Sequence, residues 1–232
     1  MKLSFLAGVS ALVFSAATTS VHAAEAAATE APAGQDLWYV LLFGGASFPN
    51  KMTTGIGGDD TYGHSVDFDT GFTIGAAIGR RINDAFRVEG ELSYARYGAN
   101  SFIFDHGDHD HGPFDASGDL SATYLLANAW VDVASFGQAK VYAGGGIGAA
   151  YVTADTSFDE PDFGYGSGGW GFAGQVGAGI TYAVASNIDL DFGYRFKAVK
   201  SVDFDIDGDA ENYFTDGNLY AHSLQLGMTA KF

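Results

Sequence analysis

The sequence predicts an all-β fold: an eight-stranded antiparallel up-and-down transmembrane β-barrel, with a signal peptide ahead of it. Three observations lead there. Apolar residues recur at every second position in eight segments of ten or more residues, which is the side-chain period of a strand and long enough to cross a bilayer at a tilt. The connections alternate between tight turns and long polar stretches, as when turns lie on one side of a membrane and loops on the other. Opposite the apolar side, finally, stand glycines, small polar residues and a few charges, which suits a narrow lumen but has no purpose on a wet surface.

The elements follow in order. MKLSFLAGVSALVFSAATTSVHA has one cation at Lys2, an apolar run from Leu3 to about Ala17 and Val21-His22-Ala23 as a small-x-small cleavage site, the layout of a secretory signal peptide over 1–23. Residues 24–35, AEAAATEAPAGQ, are small and polar and read as a flexible periplasmic linker. The barrel occupies 36–232, with strands at about 36–48, 68–81, 86–97, 120–134, 139–152, 169–183, 188–198 and 218–232. Links 82–85, 135–138 and 184–187 are tight, while 49–67, 98–119, 153–168 and 199–217 are long and rich in Gly and Asp. An even strand number returns both ends of the barrel to the periplasmic side.

Alternation assigns the faces. In 169–183, Phe172, Val176, Ile180 and Tyr182 alternate with Ala173, Gln175, Gly177, Gly179 and Thr181. In 188–198, NIDLDFGYRF sets Ile188, Leu190, Phe192, Tyr194 and Phe196 against Asp189, Asp191, Gly193 and Arg195. With the apolar face in lipid, the inward charges are Arg81, Arg87, Glu89, Glu91, Asp132, Lys140, Asp189, Asp191, Arg195, Lys197 and Lys231. That near balance of cations and anions fits a closed electrostatic network, since charges removed from water persist only when paired. Segments 86–97 and 188–198 lie opposite in an eight-strand ring, so Arg195 is expected to reach Glu89 or Glu91. The aromatics Trp38, Tyr39, Phe48, Tyr97, Tyr151, Trp170 and Tyr182 fall near strand ends, where interfacial girdles are expected.

Composition narrows the function. No helical span, no cysteine chemistry and, at a net charge of −17, no nucleic-acid partner are expected. The excess acid gathers in the long connections. One of them holds HGDHDHG, whose His106, Asp108, His109 and His111 are sound Zn²⁺ ligand types, though the dense spacing equally suits a hydrated acidic loop. DFDIDGD supplies Asp203, Asp205 and Asp207 at calcium-loop spacing, but Phe214 stands where the bidentate Glu belongs; strand continuation with aspartates on the wet side competes. His222 and Ser223 are adjacent on one strand, so they face opposite ways and form no dyad. With no GxSxG-like nucleophile motif either, no catalytic residues are assigned and no enzyme is expected.

The ending SLQLGMTAKF has Gln225, a glycine two residues on at Gly227, and alternation to a terminal Phe232. It resembles the closing-strand signal read by the bacterial barrel-assembly machinery, with Ala230 where a larger residue is usual. With YVLLFGGASF at the start and GYRF late in the chain, 36–232 resembles the small outer-membrane β-barrel family, the OmpA/OmpX-like "porin family proteins" of Gram-negative bacteria. The resemblance implies residence in the outer membrane, with lipid and lipopolysaccharide as surroundings. The expected role is structural: a monomer that maintains membrane integrity, with no obligate cofactor and acidic surface loops able to hold Ca²⁺, Mg²⁺ or Zn²⁺ loosely. An adhesin or host-contact antigen, a small-solute pore and a soluble lipocalin-like binder are the alternatives.

Overall fold

The computed structural model describes residues 38–50, 52–56, 59–105, 110–158, 163–202 and 217–232. The expected signal peptide and linker lie outside them. Ten strands run in order: β1 Trp38–Pro49, β2 Met52–Ile56, β3 Asp59–Phe68, β4 Gly71–Arg81, β5 Phe86–Asp105, β6 Asp110–Phe136, β7 Ala139–Phe158, β8 Phe163–Ala185, β9 Ile188–Val202 and β10 Gly217–Lys231. Eight of them close a ring. Every neighbour pairing is antiparallel, β1 joins β10, and the β5–β6 ladder completes the circuit.

Register fixes the dimensions of the cylinder. Cross-strand partners lead from Trp38 to Arg80, Val88, Ala129, Gly145, Val176, Phe196, His222 and back to β1 at Phe48. One circuit therefore gains ten residues along β1, from 38 to 48. With a rise of ~3.3 Å and a strand spacing of ~4.8 Å, that stagger over eight strands corresponds to a tilt of about 41° and a backbone radius of about 8 Å. Such a lumen is wide enough for side chains and little else.

Turn chemistry sets the hairpins on the periplasmic side. Gly137, at a φ of +61°, takes the first central position of the two-residue β6–β7 turn, where the hairpin turns that match strand twist require a positive φ. At the β4–β5 turn, Asn83 Oδ1 accepts hydrogen bonds from the Ala85 and Phe86 amides at 3.0 and 2.8 Å. Ring closure is secured at the chain's end, where the Phe232 amide donates to the Trp38 carbonyl at 2.9 Å.

The long connections differ from expectation. Segment 49–67 contains β2 and most of β3, a hairpin that pairs with β5 beyond the point where β5 leaves β4. Likewise β5 and β6 continue as a ladder through 98–119, and β7 and β8 through 153–168. The abundance of Gly and Asp concealed these extensions. Backbone pairing requires only partners, and register shifts at Gly98/Ser101 and Phe102/Phe104 absorb the irregular residues.

Face assignment is unambiguous along the membrane-crossing part. Leu125, Ile147, Phe172, Val176 and Leu226 are each 59–67 % exposed, whereas Glu89, Glu91, Asp191 and Arg195 are buried. Phe192 and Ile180 stand on the outer wall with them. A lipocalin-like arrangement would require the reverse, so that alternative falls. A continuous apolar belt of this extent belongs in hydrocarbon, not water. Leu226→Arg, placed midway along β10, is expected to destabilise the barrel by about 2–4 kcal/mol, and the conservative Leu226→Val by under about 1.5 kcal/mol; urea unfolding in lipid vesicles, followed by tryptophan fluorescence, measures both.

Candidate functional site: the filled lumen

The inward side chains form three levels. At the periplasmic floor, the Asp132 carboxylate meets three cations: Arg81 and Arg87 at 3.0 Å and Lys140 at 3.5 Å. Lys231 pairs with Asp189 at 2.8 Å. Asp132 thus neutralises cations from β4, β5 and β7, drawing four strands together at their ends.

The middle level is built on two rings absent from the sequence-based inventory, Trp130 on β6 and Tyr142 on β7. They meet edge to face, 5.6 Å apart at 74°. Arg195 lies over Trp130 at 4.3 Å and donates to Tyr142 Oη at 2.8 Å, while Arg87 covers the Tyr142 ring at 4.3 Å. Tyr142 in turn donates to Asp191 at 2.9 Å. Glu89 accepts from Trp130 Nε1 at 2.8 Å and from Tyr39 Oη at 2.7 Å, with Arg87 Nε at 3.4 Å. Desolvated cation–π contacts of this kind contribute up to ~2 kcal/mol each. Glycine makes room for them: a Cβ on Gly144 would fall 2.7 Å from the Trp130 ring, and one on Gly179 2.5 Å from Tyr142 Oη.

Above lies Glu91, which accepts four hydrogen bonds: Lys197 Nζ and Gln175 Nε2 at 2.6 Å, Ser93 Oγ at 2.7 Å and Asn128 Nδ2 at 2.9 Å. Lys197 also donates to Ser93 Oγ at 2.7 Å and sits 4.5 Å over the Tyr124 ring. Glu91 and Lys197 are 4 and 5 % exposed, so this is a dry pair whose carboxylate has its lone pairs satisfied. Over it the lumen turns apolar. Tyr97, Leu120, Leu126, Val152, Val199 and Leu219 form one buried cluster with Tyr124, and Tyr97 Oη shares a hydrogen bond with Ser47 Oγ at 2.9 Å.

Several expectations are corrected here. Arg195 does not pair with Glu89 or Glu91; the Trp130 indole stands between, stacked under Arg195 on its face and donating to Glu89 from its edge. Lys197 reaches Glu91 instead. Alternation gives the face of a long side chain but not the direction in which it leans. Tyr39 and Tyr97 are not girdle residues, because each points inward with its hydroxyl bonded; Trp38, Phe48, Tyr151, Trp170 and Tyr182 are exposed on the outer wall. His222 turns outward to Tyr194 and Phe196, and Ser223 inward to Gln225.

Gln225 is buried in the lumen, a Gly227 Cβ would fall 2.7 Å from Leu41, and Phe232 is exposed at the barrel's end. His106, Asp108, His109, Asp203, Asp205 and Asp207 lie outside the described residues, and the His111 backbone pairs with Phe104. Among the described residues no three metal-ligating side chains gather in one place.

The description "Outer membrane protein beta-barrel domain" matches residues 10–232. The chain belongs to this outer-membrane β-barrel family. It resides accordingly in the outer membrane of a Gram-negative bacterium. Family members similar in sequence include an uncharacterized protein of Brucella abortus, 32 % identical over 165 residues covering 62 % of this chain and 57 % of that one. A Rickettsia bellii protein named as a candidate adhesin is 30 % identical over 142 residues, 61 % of this chain and 60 % of its own length. The matches thus span less than two thirds of either relative. Among solved barrels, OprG of Pseudomonas aeruginosa has the same fold at 16 % identity and a TM-score of 0.52, with 85 % of this chain and 97 % of that chain covered.

The buried pair gives a direct test. Lys197→Met leaves Glu91 charged and dry and is expected to cost about 3–5 kcal/mol, whereas the double variant Glu91→Gln/Lys197→Met should recover at least half of that. Unfolding of these two variants and of the single variant Glu91→Gln in lipid vesicles supplies the cycle.

Proposed function

We propose that the protein is a structural, non-conducting element of the outer membrane, with acidic surface segments that engage divalent cations and, through them, lipopolysaccharide. The observation that carries the reading is the stacked lumen: an ion-paired floor, a layer of Trp130, Tyr142 and two arginines, the Glu91–Lys197 pair, and an apolar roof. A solute-conducting pore of this diameter would need water along its axis, and buried charges left without partners there would be costly. Here the described lumen charges have partners, and aromatic and branched side chains occupy the space between them.

The acidic connections support the second half. They carry Asp203, Asp205, Asp207 and Asp209 within one stretch and Asp105, Asp108, Asp110 and Asp115 within another, a charge density that attracts hard cations. An adhesin reading rests on a different observation, the name of the Rickettsia relative. It uses the same surface segments, since ladders that extend past the membrane present them to the exterior.

Planar-bilayer recordings test the non-conducting reading: the purified barrel should give no steady openings, and regular nanosiemens-scale steps would overturn it. Calorimetric titration with Ca²⁺ tests the cation half, where Asp203→Asn/Asp205→Asn/Asp207→Asn should weaken binding by about tenfold for each ~1.4 kcal/mol lost.

A further inference from the structure

The membrane-facing wall contains a depression where large side chains give way to small ones. Gly90 on β5, Ala127 and Ala129 on β6 and Gly145 on β7 form its floor, in adjacent register positions. Ile78, Val88, Ile147 and Val176 stand around it, and the groove has a volume of about 920 Å³. A Cβ on Gly90 would meet nothing within 4 Å, so glycine is not imposed by packing there. At the periplasmic end of the groove lie Trp38 and Arg80. Among the described residues Arg80 has no carboxylate partner in any ion pair; it is exposed, and its guanidinium sits 5.6 Å from the centre of the exposed Trp38 ring.

The course of the groove matches one leaflet. It runs between two outward register rows, Arg80–Val88–Ala129–Gly145–Val176 and Ile78–Gly90–Ala127–Ile147, the first of which crosses four strand intervals. At ~4.8 Å per interval that is roughly 19 Å, and at a strand tilt of about 41° it climbs about 12 Å from the periplasmic boundary, close to half of a ~25 Å apolar band. A cation beside an indole at interfacial depth, leading into an apolar channel that stops near the midplane, has the order of groups of a glycerophospholipid: phosphate, then chain.

We propose that this groove is a seat for one phospholipid of the periplasmic leaflet, its phosphate at Arg80 and one acyl chain along the Gly90–Ala129–Gly145 floor. A second copy of the chain is the competing occupant. Charge favours the lipid: the exposed Arg80 at the rim, in no ion pair among the described residues, attracts a phosphate.

Native mass spectrometry of the folded barrel in detergent, titrated with phosphatidylglycerol, decides it. Wild type should retain one lipid. Gly90→Phe fills the groove without a steric cost at Cβ and should weaken retention at least about tenfold, and Arg80→Gln about fivefold, the equivalent of ~1 kcal/mol per interfacial cation. Leu226→Phe, on the opposite wall, should match wild type, and heat-modifiable gel mobility reports folding for every variant. Absence of retained lipid in wild type, equal retention by Gly90→Phe, or a wild-type dimer that Gly90→Phe converts to monomer would each overturn the proposal.

Discussion

Hydrocarbon offers no hydrogen bonds to a peptide group, and this one constraint organises the molecule. Strands that cross it must satisfy every backbone donor and acceptor among themselves, so the sheet has to close. Closure of eight strands with a stagger of ten residues leaves a cylinder of about 8 Å backbone radius. Everything inside it is then decided by volume: a ring at one position requires a glycine facing it, as Tyr142 does Gly179 and Trp130 does Gly144.

The lumen solves the charge problem differently along its length. Near the periplasm, where Arg81 and Lys140 retain partial contact with water, one aspartate serves three cations. In the drier middle, arginines lie on aromatic faces, which supply attraction without needing an opposite charge for each guanidinium. At Glu91 the carboxylate is surrounded by four donors and its ammonium partner is capped by a phenol ring. Beyond that level no charge is carried inward among the described side chains, and packing of Leu120, Leu126, Val152, Val199 and Leu219 takes over. The gradient runs from solvated ions to dry hydrocarbon within one cylinder.

Much of this was legible in the sequence. Parity alone placed Glu89, Glu91, Asp191 and Arg195 inside, because each is an odd number of positions from a large apolar residue on a strand whose outer face is greasy. Trp130 and Asn128 share their parity with Asp132, and Tyr142 shares its parity with Lys140, so a signal for them is present although no charge marks them; the girdle expectation for aromatic residues near strand ends misplaces Tyr39 and Tyr97. Pairing across the lumen was not legible: it depends on which way a flexible chain leans and on the indole between Arg195 and Glu89. The strand extensions escaped notice because polar composition signals loops on average, while ladder formation beyond the membrane requires no apolar face.

Those extensions change what lies above the lipid. β6 alone has 27 residues; at about 2.5 Å of height per residue for a ~41° tilt, only ten or so are consumed by the apolar band. The remainder, paired with β5 from Asp110 and with β7 from Ala116, forms a stiff pedestal rising from the headgroups. A molecule approaching from outside would meet backbone already held in place, and would forfeit less disorder on docking than against free-swinging chain. Reach and rigidity at the cell's exterior are thus bought by simply not ending the strands where the lipid ends.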